Sequence, residues 1–390
     1  MPELYDLLVI GAGPAGCSTA LHSAKKGLKT LLVEEHASAG EPVHCGECLS
    51  ELAFNKFGLK PPQEAIAASV KGVRVIFPDR TARVLTEPGF VLNKDKFEQW
   101  LASQAADAGA QTLFSTRITE FRRAPSFWEV KSQGGETFHC KILADATGVQ
   151  GIVSRTLGLN APGETTVGMQ YRMSGIPSEG YLDFYLWPRL APHGYLWMIP
   201  KGDGKANVGL VTLDKPNAKK YLDEFLAVMG WAGNPVEKAF GGLIPSSGPL
   251  PKTFGDGVIL VGDAAGFTSP LFEGGTHLSL KSGQFAAETA FQSVRRGDSS
   301  QNILQLYERL WNEEFPHYAH LIKGKNALYS FSEHDLNLIG RSFPMELSNI
   351  SPFQKLLFVV KLIPHFGLFS KGLMPALGAF GYSKAVAYGW

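Results

Sequence analysis

The sequence predicts an α/β protein that combines a Rossmann-like parallel sheet, an antiparallel sheet inserted into it, and a helical C-terminal region. Three observations predict this architecture. An apolar run at 7–10 leads into a glycine-rich turn and then a helical pattern. Residues 181–212 contain three short runs rich in aromatic and β-branched residues, separated by turn signals. From residue 303, the segment "ILQLYERLWNEEF" has apolar residues at helical spacing.

Length and composition limit the class of protein. The 390 residues, 44% of them hydrophobic, are enough for more than one domain. The net charge of +1 gives no electrostatic basis for nucleic-acid binding. We expect a discontinuous first domain at 1–70, 93–160 and 250–300, an antiparallel-sheet domain at 71–92 and 161–249, and a helical region at 301–390.

The N-terminus and the cysteine content favour a cytoplasmic protein. The first residues lack the basic start and cleavage site of a signal peptide, and the 4 cysteines are too few for a disulfide scaffold. The segment "LLFVVKLIPHFGLF" at 356–369 is interrupted by Lys361 and Pro364, and it is shorter than the roughly 18 residues of a spanning helix. Two interpretations of 351–390 stay open: core packing, or peripheral contact with the inner face of a membrane.

The stretch "LLVIGAGPAGCSTALHSAKKG" predicts a strand, a phosphate-binding turn and a helix. Leu7 to Ile10 suit a strand that is buried on both faces. Gly11 permits the tight turn, Gly13 lets backbone amides approach a pyrophosphate, and Gly16 lets the helix pack closely on the strand. A second strand, "KTLLVEE", ends about 20 residues further on. Glu34 is therefore the expected ribose ligand, and the motif fits NAD and FAD equally.

Two later segments favour FAD. An apolar strand closes on Ala146-Thr147-Gly148, and another, Val258 to Val261, ends in Gly262-Asp263. Asp263 stands where a carboxylate can bind a polyol chain. Gly274 and Gly275 then lead into a long helix of small residues, whose N-terminal amides would stabilise negative charge on a reduced flavin ring.

The middle strand of 181–212 carries aromatic residues on one face. Tyr195, Trp197 and Ile199 alternate with residues that point the other way. An aromatic core face and the wall of a large apolar cavity both fit this pattern.

The order of these motifs over about residues 1–300 resembles the two-domain FAD fold of the p-hydroxybenzoate hydroxylase type. Within it, "APHGYLWMIP" is similar to the P-x-x-Y-x-W-x-F-P signature of the geranylgeranyl reductase family. Pro192, Tyr195, Trp197 and Pro200 match, and Ile199 replaces the usual Phe. The resemblance implies that the antiparallel sheet is a substrate domain.

The loop "HCGEC" at 44–48 resembles the C-G-E-G loop of the same family. Cys45, Gly46 and Glu47 match, and Cys48 replaces Gly. The resemblance implies that Cys45 and Gly46 contact the flavin. A redox disulfide between Cys45 and Cys48 is an open alternative, whereas a metal site is not expected because no second ligand pair is visible.

The resemblance implies further contacts with the cofactor. The family usually has Arg at the position of Lys94, a flavin-contacting residue; Lys keeps the charge but loses the fork geometry. The remaining expected contacts are Ala15, Ile118, Gly148 and Thr276.

Membership of this family would imply a reductase that saturates C=C bonds in geranylgeranyl chains of a lipid, a diphosphate or a quinone. Hydride would come from reduced flavin N5, and a proton would complete the addition. Cys45 is the first candidate for the proton donor and Tyr195 the second, while Trp197 would orient the chain. The external reductant would be NAD(P)H or reduced ferredoxin.

Two other functions stay open. Flavin-dependent monooxygenases and halogenases share the fold; "YLWMIP" matches all but the first Trp of the halogenase W-x-W-x-I-P signature, and Lys71 is the one candidate for a catalytic lysine at 70–80. An electron-transfer flavoprotein acting on a membrane quinone usually needs an iron–sulfur module, and this chain lacks four suitably spaced cysteines.

Overall fold

The computed structural model describes residues 3–383, which form two compact units. Within this range, the first comprises 3–43, Lys94–Glu164 and Pro245–Tyr318, and the second comprises His44–Asn93, Thr165–Ile244 and 319–383. Both are mixed α/β, and the predicted combination of a parallel and an antiparallel sheet is confirmed.

The strands, in chain order, are β1 Leu4–Ile10, β2 Thr30–Val33, β3 Cys48–Ser50, β4 Ile66–Val70, β5 Val73–Ile76, β6 Ala82–Leu85, β7 Gly89–Leu92, β8 Gln111–Leu113, β9 Ile118–Arg123, β10 Trp128–Ser132, β11 Thr137–Asp145, β12 Thr165–Ser174, β13 Leu182–Tyr185, β14 Tyr195–Gly202, β15 Lys205–Thr212, β16 Val236–Pro245, β17 Phe254–Gly255 and β18 Val258–Leu260. The helices are α1 Pro14–Lys25, α2 Glu51–Phe57, α3 Lys94–Asp107, α4 Ile152–Thr156, α5 Ala218–Met229, α6 Thr276–Arg296, α7 Gln301–Glu314, α8 Tyr318–Ser330, α9 Glu333–Ser342, α10 Pro352–Leu362, α11 Gly367–Ser370 and α12 Leu373–Ser383.

The first unit is built on a sheet whose central order is β17-β18-β11-β1-β2-β8. β1 pairs in parallel with β11 on one side and β2 on the other, and β18 pairs in parallel with β11. Leu7, Leu8 and Val9 have no exposed surface, as expected for a strand covered on both faces. α1 packs against both α3 and α6. The carboxyl ends of β1, β2 and β11 therefore meet at one edge of the sheet, where the predicted nucleotide motifs lie.

The second unit contains a seven-stranded sheet of order β16-β12-β15-β14-β13-β5-β6 and a three-stranded sheet β3-β7-β4. α5 packs against the larger sheet, and its Leu222 and Phe225 lie in an apolar core with Leu196 and Met198 of β14. Tyr195 and Trp197 lie on the opposite face of β14, as the alternation predicts, and both are buried.

The two compact units divide the chain differently from the predicted domains at two places. Residues 44–70 were assigned to the nucleotide-binding domain, but they belong to the second unit because β3 and β4 both hydrogen-bond to β7. The predicted helical region 301–390 is divided. α7 joins the first unit because it packs on α6 and β17, whereas residues from 319 onward join the second.

The helices that follow residue 318 lack the length and apolarity of a membrane span. Across residues 3–383, no helix combines the length and the apolarity that a membrane span requires.

Candidate functional site

The glycine-rich turn between β1 and α1 has the geometry that its sequence predicts. Gly11 has a φ of 101°, and a Cβ there would lie 2.4 Å from the carbonyl oxygen of Ala146. A Cβ on Gly16 would lie 1.8 Å from the carbonyl oxygen of Gly11. A Cβ on Gly13, in contrast, would meet no heavy atom within 4 Å. Gly11 and Gly16 are thus required by packing within the protein, while Gly13 leaves an open approach to the backbone.

Glu34 follows β2 and is oriented by three hydrogen bonds. Its Oε2 accepts from the backbone N–H of Ala12 at 2.7 Å, and its Oε1 accepts from the backbone N–H of His36 at 2.9 Å. The ring Nδ1 of His36 lies 2.6 Å from the same oxygen. These contacts hold the carboxylate beside the glycine-rich turn, which is the place for a ribose ligand. The next two residues in the chain, Glu35 and His36, line an open polar cavity of about 560 Å³ together with residues of 115–117 and 132–136.

The turn after β11 is fixed by a buried aspartate that sequence reasoning missed. Asp145 has no exposed surface, and its side chain accepts hydrogen bonds from Thr147 and from the backbone N–H groups of Val153 and Ser154. Burial raises the pKa of Asp145, and these hydrogen bonds oppose that rise. Gly148 has a φ of 62° and nothing within 4 Å of its Cβ position, so this turn also offers open backbone.

Asp263 lies in the turn that follows β18. Its Oδ1 accepts a hydrogen bond from Thr268 Oγ1 at 2.7 Å, and a Cβ on Gly275 would lie 3.5 Å from that oxygen. Burial raises the pKa of Asp263, which Thr268 and the charge of Lys94 oppose. The fold therefore brings Asp263 to the double-glycine start of α6, and its role as a polyol-binding carboxylate stays a prediction.

Lys94 begins α3 and reaches the first residue of α6. Its Nζ donates to Thr276 Oγ1 at 3.1 Å and lies 3.2 Å from Glu98 Oε1, one helical turn further along α3. Lys94 is only 4% exposed. Burial raises the pKa of Glu98, and the ammonium group of Lys94 opposes that rise. A buried cation is thereby placed at the N-terminus of the 21-residue helix α6. The charge of Lys94 and the positive end of the helix dipole therefore lie together there.

These residues fit a flavin dinucleotide. The first turns of α1 and α6 contain no acidic residue and no capping side chain, so their N-terminal amides remain directed outward for an anionic group. Gly13 and Gly148 leave their backbone open on the same edge of the sheet. Of the other predicted contacts, Ala15 is buried in the first turn of α1, Ile118 is buried at the start of β9, and Gly274 precedes the N-cap of α6.

In the second unit, the Cys-Gly-Glu loop is anchored by the side chain of Glu47. This residue is 1% exposed and has a φ of 73°. Its Oε2 accepts from Arg172 Nη2 at 2.6 Å and from Asn207 Nδ2 at 2.7 Å, and lies 3.1 Å from Lys201 Nζ. Burial lowers the pKa of Lys201, and the Glu47 carboxylate opposes that change. Glu47 thus compensates two cations and fixes the loop to β12, β14 and β15.

Gln170 links this loop to the aromatic face of β14. Its Nε2 donates to the carbonyl oxygen of Cys45 at 2.7 Å, and its Oε1 accepts from the indole N–H of Trp197 at 3.0 Å. Both side chains flank Gly209 on the intervening strand, where a Cβ would lie 2.6 Å from the Trp197 ring and 2.5 Å from Gln170 Cβ. The ring of Tyr195 is 5.8 Å from that of Trp197. The fold therefore connects Cys45 with Tyr195 and Trp197, which lie about 150 positions further along the chain.

The two cysteines of the loop do not form a disulfide bond in the structure. The Sγ of Cys45 accepts a hydrogen bond from the backbone N–H of Glu47 at 3.2 Å, whereas Cys48 begins β3. Across residues 3–383, no group of three potential ligands could hold a metal ion.

Comparison with known proteins identifies the family. The model of the lycopene cyclase protein family matches residues 6–333. A digeranylgeranylglycerophospholipid reductase of Methanocaldococcus jannaschii is 35% identical over 369 residues, which cover 89% of this chain and 93% of the relative. Another of the same name, from Methanococcus vannielii, is 32% identical over 96% of this chain and 99% of the relative. The chain belongs to the geranylgeranyl reductase family.

Solved structures agree with this assignment. A geranylgeranyl bacteriochlorophyll reductase-like protein of Thermoplasma acidophilum superposes with a TM-score of 0.86 at 30% identity, covering 95% of this chain and all of the other. A flavin-dependent brominase superposes with a TM-score of 0.72 at 18% identity, covering 92% of this chain and 94% of the other, and at that identity it shows the fold alone. The predicted p-hydroxybenzoate hydroxylase-type fold and the predicted class of flavoprotein oxidoreductase are confirmed.

Several residues that shape these geranylgeranyl reductase motifs were not predicted. Glu98 carried a visible signal, because it stands four residues after Lys94 on a predicted helix. Asp145 also carried a signal, because it stands directly before the Ala-Thr-Gly turn. Gln170, Arg172 and Asn207 carried no local signal, because their roles depend on strand pairing across β12, β14 and β15.

Proposed function

We propose that this chain is an FAD-dependent reductase that saturates C=C bonds in the geranylgeranyl chains of a lipid. The observation that carries the proposal is the retained Cys-Gly-Glu loop, anchored by Glu47 and joined to Trp197 through Gln170. Relatives named digeranylgeranylglycerophospholipid reductase, identical at 31–35% over most of the chain, support a prenyl lipid as the substrate class. A prenyl diphosphate and a prenyl quinone are the other members of that class.

The first unit would bind FAD. Gly11, Gly13, Gly16 and the amides of α1 would accommodate the pyrophosphate, and Glu34 would accept hydrogen bonds from the ribose. The remaining cofactor residues are proposed by position: Asp263 for the polyol chain, Gly274, Gly275 and Thr276 for the flavin ring, Lys94 for its negative charge when reduced, and Ala15, Ile118 and Gly148 for packing. When bound and reduced, FAD supplies a hydride to one carbon of an alkene.

The second alkene carbon requires a proton, which residues of the second unit would deliver. We propose Cys45 as the donor, because the backbone N–H of Glu47 fixes its sulfur and Gln170 fixes its carbonyl group. Tyr195 is the second candidate, since its ring is buried between Phe184 and Trp197. Trp197 would orient the prenyl chain by packing, because the hydrogen bond to Gln170 holds its indole ring in one position. Contacts of Cys45 and Gly46 with the flavin stay a prediction.

NAD(P)H and reduced ferredoxin are both proposed as external reductants. The first unit has a single glycine-rich turn of the dinucleotide type, which the proposal assigns to FAD. A nicotinamide donor would therefore bind only transiently, outside this turn.

An anaerobic assay tests the proposal. The purified protein, with its flavin reduced by dithionite, is given a geranylgeranyl lipid, and the products are weighed by mass spectrometry. Gain of whole dihydrogen units is expected. Unchanged lipid beside a stable reduced flavin would contradict the proposal.

Matched variants separate the roles of the two loop cysteines. Cys45→Ala should slow turnover by about 10²–10⁴-fold, the usual contribution of a positioned acid, while Cys48→Ala should retain it. Equal losses in both variants would indicate a redox pair instead, and full activity in Cys45→Ala would transfer the role to Tyr195, tested by Tyr195→Phe.

A halogenase or monooxygenase is the second candidate, favoured by Ile199 and by the shared fold. Lys71, its candidate catalytic lysine, is exposed and donates to the carbonyl oxygen of Glu179 at 3.0 Å. This position does not support a role inside a closed cavity. Oxygen- and halide-dependent products in the same assay would favour this candidate. An electron-transfer flavoprotein would instead reduce a quinone without altering its prenyl chain.

A further inference from the structure

The helix α10 and the turn that follows it expose an unusual number of large apolar side chains. We call them the C-terminal apolar surface; its members are Phe353, Leu356, Leu357, Val359, Val360, Ile363 and Phe366. Phe353 is 66% exposed and Phe366 is 75% exposed. Contiguous exposed apolar patches mark sites where a protein binds another protein, a ligand or a membrane.

The arrangement of α10 shows that this surface is one continuous face. The helix buries only Phe358 and Leu362, which are four residues apart and therefore lie on the same side. At 100° per residue, the exposed apolar residues of 353–363 cover an arc of about 160° on the opposite side. Lys361 borders this arc on one edge and Lys355 on the other, and both are exposed. Apolar residues in the centre with lysines along both borders are typical of a helix that lies in a membrane interface.

The charge of this region has one sign. Residues 347–390 contain no Asp and no Glu, although the chain has 36 acidic residues in 390. They contain Lys355, Lys361, Lys371 and Lys384. Lys371 is paired with Asp335 at 2.7 Å, so its charge is compensated within the protein. Among residues 347–383, Lys355 and Lys361 are thus the lysines that accompany the C-terminal apolar surface.

This charge pattern favours an anionic lipid surface over a second copy of the chain. An interface between two identical copies related by a two-fold axis places the same patch on both sides. Lysines would then face lysines without an acid to compensate them, and like charges oppose association. Anionic headgroups instead complement both lysines while the acyl region accepts the apolar side chains.

We propose that the C-terminal apolar surface docks the protein onto an anionic lipid bilayer. Phe353, Leu356, Val360 and Ile363 enter the boundary between headgroups and acyl chains, with Lys355 and Lys361 at headgroup level. α10 lies in the plane of the bilayer, since its 11 residues are too few to cross it. This docking goes beyond the proposed reduction and does not depend on it.

Vesicle sedimentation of the full chain tests the docking without any enzymatic step. Vesicles of equal parts phosphatidylcholine and phosphatidylglycerol are compared with vesicles of phosphatidylcholine alone. We expect stronger binding to the anionic vesicles, and raising the salt from about 0.1 M to about 1 M should weaken it because the lysine charges are screened.

Three sets of variants locate the binding surface. The triple variant Phe353→Ser, Leu356→Ser and Val360→Ser should bind at least about tenfold more weakly. Lys355→Gln with Lys361→Gln should lose about fivefold per lysine, on anionic vesicles only. The matched control, Val236→Ser with Leu243→Ser, removes two half-exposed apolar side chains of β16 and should bind like the wild type.

The outcomes separate docking from its alternatives. Vesicle binding by the triple variant at wild-type strength, or no vesicle binding by the wild type, would overturn the proposal. So would a wild-type dimer that the triple variant dissolves, because a second copy would then cover the surface. If the triple variant fails to fold, the single change Phe366→Ser, outside α10, replaces it with the same expected direction.

Discussion

Gly11, Gly13 and Gly16 show how three identical residues meet three different requirements. Gly11 adopts a left-handed backbone conformation against Ala146, and Gly16 packs against the carbonyl group of Gly11. Gly13 is sterically required by nothing within the protein. Its requirement therefore lies in what approaches from outside, which is the expected role of the middle glycine in a dinucleotide motif.

This contrast gives a prediction at the residue scale. Gly13→Val should leave the melting temperature of the flavin-free protein almost unchanged but abolish FAD binding, because the side chain occupies the phosphate approach. Gly16→Val should lower the melting temperature sharply, because its Cβ collides with the Gly11 carbonyl. Thermal unfolding and flavin fluorescence titration measure both effects. Equal melting temperatures for the two variants would contradict this assignment.

Glu47 is a buried carboxylate that holds two cations. Because Arg172 and Lys201 would remain partly buried without compensation, Glu47→Gln should lower the free energy of unfolding by about 3 kcal/mol. Glu120→Gln is the matched control: its carboxylate is 70% exposed and lies 4.0 Å from Lys131, so the loss should stay below about 0.5 kcal/mol. Denaturant titration compares the two. Similar losses would mean that Glu47 contributes no more than a surface charge.

At the scale of elements, β12, β15 and β14 act as one platform. Their pairing places Gln170, Gly209 and Trp197 side by side, and the absence of a side chain at Gly209 lets the other two meet. The loop at 44–48 is then fastened to this platform through the carbonyl group of Cys45 and the carboxylate of Glu47. Three strands and one loop thus position the proposed proton donor.

The helix α3 supplies a pH-dependent contribution through Glu98. Burial raises the pKa of Glu98 in the folded protein above its ordinary value of 4.5, so the folded state holds this proton more tightly than the unfolded state. Its contribution to stability is therefore largest below pH 4.5 and decreases as the pH rises toward the folded pKa. Lys94→Met should steepen this decrease, because the opposing cation is removed.

Comparison of variants isolates that contribution. Glu98→Gln should flatten the dependence of unfolding free energy on pH above 4.5, and Lys94→Met with Glu98→Gln should remain flat. The double variant should still bind reduced flavin more weakly than Glu98→Gln alone, since the cation at the start of α6 is absent. Identical pH profiles for the wild type and Glu98→Gln would show that Glu98 does not titrate as inferred.

At the scale of the whole molecule, each unit is assembled from three separate stretches of chain. The first unit collects the glycine-rich turn, Lys94 with Glu98, and the Asp263 turn with the start of α6. The second collects the Cys-Gly-Glu loop, the strands around Trp197, and the helices after residue 318. Neither set of candidate residues is local in sequence, so both depend on completed folding.

Hydrogen exchange tests the proposal that FAD binds to the first unit. Adding FAD should slow amide exchange at residues 11–17, 145–153 and 262–280, because the proposed cofactor contacts come from all three stretches of the first unit. Helix α5 and its neighbouring strands should exchange at an unchanged rate, since they lie in the core of the second unit. Protection confined to one stretch, or strongest at α5, would contradict the proposed binding mode.

The sequence by itself determined the motifs that depend only on local patterning and local backbone conformation. The strand, glycine turn and helix at 4–25 follow from apolar patterning and from the conformations that only glycine permits, and α3 and the three strands of 182–212 follow from periodicity. Their order along the chain predicted the FAD fold, whereas the likeness of "APHGYLWMIP" and "HCGEC" to known signatures predicted the family, which the comparisons confirm.

Tertiary structure alone decided which distant residues act together. Residues 44–70 carry no local sign that they leave the nucleotide-binding unit, because strand pairing with β7 is a long-range event. Gln170, Arg172 and Asn207 are ordinary polar residues of strands until neighbouring strands bring them to Cys45 and Glu47. Hydrogen bonds between strands depend on register across the sheet, and a linear pattern specifies the face of a residue but not its partner.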